Sequence, residues 1–154
     1  MRSRVPEIYV DADACPVKDE VMRVAQRDGI TVHYVSNAWM RLPESPLVNR
    51  VVVSDGFDAA DDWIAENIVA GDIAITADIP LAARCLEKQA RVIGPTGRPF
   101  TEDGIGAALA MRELKGHLRD TGEIRDHGPS FSKQDRSQFL QALDRVVQDV
   151  GKIK

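Results

Sequence analysis

The feature of this sequence that most restricts its fold is an alternation of short apolar runs with longer amphipathic stretches. The apolar runs Ile8–Val10, Thr31–Val35, Val51–Val53, Ile73–Thr76 and Arg91–Ile93 have strand length and strand composition. Most of them are separated by stretches with helical periodicity, at about 17–27, 57–69, 81–88, 104–119 and 133–150. Strand–helix alternation of this kind predicts an α/β domain, a mostly parallel sheet with helices on both faces. The exception is 36–50, where Pro43 and Pro46 predict a loop with little regular structure.

At 154 residues and 44% hydrophobic, the chain has the size of one domain with one core. Residues 1–119 are expected to form the sheet domain. Residues 120–154 are expected to supply a linker, richest in charge and glycine over 116–130, and a C-terminal helix packed on the same domain. That helix carries apolar residues at Phe139, Leu143, Val146 and Val150, and it opens with Ser132 and Asp135 at capping-box spacing.

No run approaches the roughly 18 apolar residues of a membrane span, and Met1–Arg4 leads into a strand rather than into a signal-peptide core, so the expectation is a cytoplasmic protein. Cys15 and Cys85 lack CxxC partners, and His33, His117 and His127 lack metal-ligand spacing, which argues against zinc and disulfide frameworks. The net charge of −4 is uneven: residues 51–83 hold seven acids and no Lys or Arg, whereas 112–154 hold nine bases and seven acids. Such a chain is not a basic nucleic-acid coat. It suits a cation site with a separate surface for an anionic ligand.

Parallel sheets bind ligands beyond the carboxyl ends of their strands. The polar residues there are Asp11 and Asp13, Ser36 and Asn37, Ser54 and Asp55, and Thr76 and Asp78. In the helix over 57–69, Phe57, Ala60, Ile64 and Ile68 form the apolar stripe. Asp61 lies beside that stripe, and Asp58, Asp62 and Glu66 lie on the wet face. A carboxylate turned toward a sheet is costly unless paired or bound to a cation. Capping is the competing role for Asp13, ahead of Pro16, and for Asp78, ahead of Pro80. Asp55, Asp58 and Asp62 suit first-turn acids opposing a helix dipole, and Asp72, at the other sheet edge, suits a structural role. Capping explains neither Asp11 nor Asp61, so Asp11, Asp13, Asp61 and Asp78 are together the candidate cation site. Carboxylate and water ligands suit Mg²⁺ or Mn²⁺.

Four motifs in order, "VDADACPVK", "AADDWI", "GDIAITADIPLA" and "GPSFSKQDR", resemble the YaiI/YqxD family of bacterial proteins, a group with a PIN-like fold. The resemblance implies a Rossmann-like sheet of order 3-2-1-4-5 and an acidic, nuclease-type metal centre. By position its acids are Asp11 and Asp13 after the first strand, Asp61 on the helix and Asp78 after the fourth strand. RNA is the substrate implied by analogy with PIN domains. Many of those domains carry further acids after the fourth strand, where this chain has Ile79-Pro80-Leu81.

Lys18, Asn37, Arg112 and Arg136 are candidate contacts to nucleic acid, with Arg98 in "GPTGRP" and Lys133 as weaker ones. Cys15 reads as a small buried residue rather than a nucleophile, because no histidine is spaced as its base. Two other readings compete. A PIN-like protein could bind metal or RNA without cutting. The Asp-x-Asp strand end also resembles haloacid-dehalogenase-like phosphatases, but those need a Lys or Arg before the later acidic motif, and 51–83 has none.

Overall fold

The computed structural model describes residues 5–53, 59–107, 109–111 and 132–151. The strands are β1 (Ile8–Asp11), β2 (Val32–Ser36), β3 (Val48–Val52), β4 (Ile73–Ile75), β5 (Arg91–Ile93) and β6 (Pro99–Phe100). The helices are α1 (Lys18–Asp28), α2 (Ala59–Asn67), α3 (Ile79–Glu87) and the C-terminal α4 (Lys133–Gly151), with a single 3₁₀ turn at Ala12–Ala14. Residues 102–107 and 109–111 are also helical. The sheet order is β3-β2-β1-β4-β5-β6, parallel except for the β5–β6 pair.

β1 is central, and its alternation divides the core. Ile8 and Val10 face the layer built by α1 and α4, and Tyr9 faces the layer of α2 and α3. On the first face Phe139, Leu143, Val146, Val147 and Val150 of α4 join Val17, Val21, Met22, Val24 and Ala25 around α1. On the second, Ala60, Ile64 and Ile68 meet Leu81, Ala82 and Cys85, so the expected α2 stripe is the buried one, as far as it lies within the described residues. Phe57, Asp55 and Asp58 lie outside them, as do Arg112 and the expected linker over 116–130.

Local chemistry accounts for the element ends. α1 stops at Gly29, which takes φ +69° in the left-handed region that closes many helices. α3 begins with Asp78 as N-cap, its Oδ1 accepting from the Leu81 amide at 2.9 Å, with Pro80 in the first turn. At α4 the capping box is complete: the Ser132 amide donates to Asp135 and the Asp135 amide donates to the Ser132 hydroxyl, both at 3.0 Å. Asp72 has its expected structural role. It is fully buried at the amino edge of the sheet, where it accepts from the amides of Glu7 and Val69. No described helix is long and apolar enough to cross a membrane.

Two details differ from expectation, and one competing role is not realised. β3 starts at Val48 rather than Val51, directly after the turn that follows Pro46. Asp13 does not cap α1, because the 3₁₀ turn intervenes and Val17 takes the cap position without a side-chain bond. The sheet also gains β6, a two-residue edge strand where Pro99 is tolerated because an edge has no second neighbour to serve.

The turn leading to β6 depends on Gly97, at φ +91°, where a Cβ would stand 2.8 Å from the Gln138 carbonyl oxygen and 3.2 Å from Ala142 Cβ of α4. Gly97→Ala should destabilise by about 2–4 kcal/mol, combining the left-handed penalty with overpacking against a helix backbone. Thermal unfolding should show a drop in Tm on the order of 10 °C. An unchanged Tm would mean that α4 does not sit against this turn.

Candidate functional site

The carboxyl end of the sheet is where β1 and β4, adjacent in space, deliver Asp11 and Thr76 side by side. The Thr76 hydroxyl, only 3% exposed, donates to Asp11 Oδ2 at 3.0 Å and accepts from the Asp78 amide at 3.0 Å. One buried hydroxyl therefore ties the end of β1 to the start of α3. Asp13 reaches the other way, its Oδ2 accepting from the Asn37 amide beyond β2 at 2.8 Å. Each of the three carboxylates thus has one oxygen committed to the scaffold. Among the described residues the second oxygen of each makes no hydrogen bond.

A cavity of about 310 Å³ opens here, lined by Asp11, Cys15, Ile75, Thr76, Ala77, Asp78 and Pro95. Burial raises the Asp11 carboxyl above its ordinary pKa. Thr76 opposes that rise by donating to the carboxylate, and the charges of Asp78 and Asp13 reinforce it. The net effect is a carboxylate whose ionised form lacks a compensating charge. Burial also pushes the Cys15 thiol up, so the cysteine in this cavity is held as a thiol and not as a thiolate nucleophile.

Asp61 stands in the first turn of α2 and is half-buried. Its charge acts on Arg84 and Cys85 of α3, whereas the charges acting on Asp11 are those of Asp78 and Asp13. The four acids are therefore arranged as three at the strand ends and one against α3. Among the described residues no three His, Cys, Asp or Glu side chains are gathered closely enough to hold an ion as they stand.

The candidate nucleic-acid contacts have mostly local roles. Lys18 Nζ donates to the Cys15 carbonyl at 2.7 Å. Arg136 of α4 donates to the Pro16 carbonyl at 2.6 Å and pairs with Glu20 at 3.4 Å. Both cations therefore brace the β1–α1 loop that carries Asp13. Asn37 is exposed and contributes its amide to Asp13. Lys133 and Arg98 are exposed, and Arg112 lies outside the described residues.

Two residues at this edge escape a reading of the sequence. Thr76 is visible there only as a polar strand end, and its linking role needs the β1–β4 adjacency. Trp39, in the loop after β2, is 66% exposed and has the Arg50 guanidinium 5.0 Å from its ring centroid.

A family model described as "Uncharacterized BCR, YaiI/YqxD family" matches residues 9–149, from β1 into α4. The chain belongs to the YaiI/YqxD family. Among its relatives, a UPF0178 protein of Parvibaculum lavamentivorans is 61% identical over 144 residues, covering 94% of this chain and 95% of the relative. One of Agrobacterium fabrum is 56% identical over 147 residues, 96% of each chain. One of Rhodopseudomonas palustris is 53% identical over 152 residues, 99% of this chain and 96% of the relative. No solved structure matches. For this YaiI/YqxD member, the sheet order extends the 3-2-1-4-5 arrangement by one antiparallel strand.

Proposed function

We propose that the carboxyl edge of the sheet is a metal-dependent nuclease site that hydrolyses nucleic-acid phosphodiesters, with RNA the favoured substrate. The observation that carries this reading is Asp11: a half-buried carboxylate on the central strand, fixed by Thr76, with two further carboxylates acting on it and no cation beside it in the cavity lining. A cation is the partner such a group lacks.

The donor set fits Mg²⁺ or Mn²⁺, since Mg²⁺ commonly takes one or two carboxylates, keeps several waters and completes its shell with substrate phosphate. Asp11 with Asp78 or Asp13 supplies that number, and the spare oxygen of each carboxylate is the donor. Asp61, set against α3, stands apart from these three and is not needed as a ligand. When bound, the ion supplies positive charge for the phosphodiester and makes a water more acidic. The chain's part is to hold the cation, to keep Asp11 aimed through Thr76, and to brace the Asp13 loop through Lys18 and Arg136. Water adds to phosphorus, the bond to the leaving oxygen breaks, and the products are a phosphate end and a hydroxyl end.

The absence of a ready three-acid group among the described residues favours a second reading, a protein that binds metal or RNA without cutting. A phosphoaspartate enzyme is disfavoured, because no Lys or Arg lines the cavity to neutralise the phosphorylated carboxylate. The deciding assay incubates purified protein with labelled single-stranded and structured RNA and DNA in Mg²⁺, Mn²⁺ or EDTA. The nuclease reading expects cutting of RNA that EDTA abolishes. Binding without cutting supports the second reading, and EDTA-insensitive background alone rejects the first.

A further inference from the structure

Trp39 is the largest side chain left exposed at the acidic edge, in a chain with only 5% aromatic residues. The other tryptophan, Trp63, is packed 6.0 Å from Tyr9 and 5.9 Å from His33, ring centre to ring centre. Trp39 is placed rather than loose. The Ser36 hydroxyl donates to the Ala38 carbonyl at 2.7 Å, which shapes the bend just before it, and Leu42, three residues on, is buried in the core. Arg50 of β3 lies at 5.0 Å, within cation–π range.

The position matters as much as the exposure. Trp39 follows Asn37 by two residues, so their Cα atoms are at most about 7.6 Å apart. The Asn37 amide is the group that holds Asp13. Asp13 in turn acts on Asp11, so the loop bearing Trp39 is tied to the acidic edge, while the indole itself lies against Arg50 of β3, outside the cavity lining. Its surroundings do not resemble a protein-docking patch, because Asn37, Ala38, Arg41 and Arg50 are small, polar or cationic, and all are exposed. An exposed aromatic ring backed by one arginine, with a second exposed arginine two residues on in the chain, combines a stacking face with positive charge, the combination that binds single-stranded nucleic acid.

We propose that Trp39, backed by Arg50, is a stacking platform for an unpaired nucleobase of a strand whose phosphodiester lies over Asp11. The assignment rests on the nucleic-acid reading of the acidic edge and adds to it a substrate class, single-stranded rather than duplex. The indole face takes the base, and Arg50 and Arg41 attract the flanking phosphates.

The test measures fluorescence anisotropy of a fluorescein-labelled single-stranded RNA of about ten nucleotides, within the site sizes of about 4–16 nucleotides known for stacking platforms. It is run in EDTA, so that no cutting intervenes, with wild type, Trp39→Ala and Trp39→Tyr. Loss of one stacked base should weaken binding about 5- to 100-fold in Trp39→Ala, and tyrosine should restore most of it. Because Trp39 is exposed, both variants should unfold at the wild-type temperature. Equal binding by wild type and Trp39→Ala overturns the platform and leaves the acidic-edge reading standing. An equal loss on a blunt duplex also overturns it, since a duplex presents no unpaired base. Failure of the wild-type protein to bind any single strand in EDTA overturns the platform, and the acidic-edge reading is decided separately by the cleavage assay with Mg²⁺ or Mn²⁺.

Discussion

Asp11→Asn is expected to lower metal-dependent cleavage by more than about 100-fold while making the metal-free protein more stable at neutral pH. The two effects share one cause. Residues that merely support a metal ligand typically cost 10–100-fold when changed, and Asp11 is the proposed ligand at the centre of the site, so about 100-fold is a lower bound. In the free protein the same carboxylate is a liability. Burial, helped by Asp78 and Asp13, raises its folded pKa despite the Thr76 hydrogen bond. A raised folded pKa means that stability is fully present below the unfolded value, about 3.9, and is lost as pH rises through the folded value. Asparagine keeps an oxygen for Thr76 and carries no charge, so its advantage in Tm should be absent at low pH and should appear as pH climbs through that window. Added Mg²⁺ should reverse the ranking. At 100 times Kd it would stabilise wild type by about 2.7 kcal/mol, and it should leave the variant unmoved. Thermal unfolding with EDTA and with Mg²⁺, beside the cleavage assay, reads every part. Equal metal-induced shifts in the two proteins would remove Asp11 from the cation site.

The same contrast shows what the sequence makes legible. Asp11 and Asp78 can be found because each ends an apolar run, and the order of runs places both at one edge of a parallel sheet. The α4 capping box and its apolar stripe are local patterns, and both are realised. Long cations are harder to place. Lys18 and Arg136 have the charge of phosphate contacts, yet flexible stems let them reach the carbonyls of Cys15 and Pro16, and for Arg136 that contact depends on where α4 lands. Asp13 has the spacing of a cap but is diverted by a three-residue 3₁₀ turn that no periodicity announces. β6 is too short, and too compromised by Pro99, to show as a strand; it exists because Gly97 lets the chain double back beneath α4. The Thr76 link joins residues 65 positions apart. Its signal, a threonine between an apolar strand and Asp78, acquires meaning only once β4 is known to lie beside β1.

Phe139→Ala should be the most destabilising single change in the C-terminal helix, at about 3–5 kcal/mol, with cleavage unaffected well below the midpoint. Phe139 is fully buried, one turn beyond Arg136, and it belongs to the same cluster as Ile8 and Val10 of the central strand. Truncating it leaves a hole between α4 and α1 that a β-sheet floor cannot collapse to fill. The five α4 residues in this cluster are each worth about 1.5–3 kcal/mol by burial, a sum comparable with the whole stability of an ordinary domain, about 5–15 kcal/mol. A chain ending before Ser132 should therefore lack cooperative unfolding. Denaturant titration checks both forms. Phe139→Ala should lower the midpoint and keep the slope, and the truncated chain should show a shallow, non-cooperative transition. The coupling to function runs through Arg136, because the helix that completes the core also holds the Pro16 carbonyl and with it the loop bearing Asp13. Loss of α4 should thus abolish activity through folding, whereas Arg136→Met, which keeps the helix and removes that hydrogen bond, should weaken the site and leave the core intact. If the truncated chain unfolds cooperatively at the wild-type midpoint, α4 is an accessory to the sheet and not part of its core.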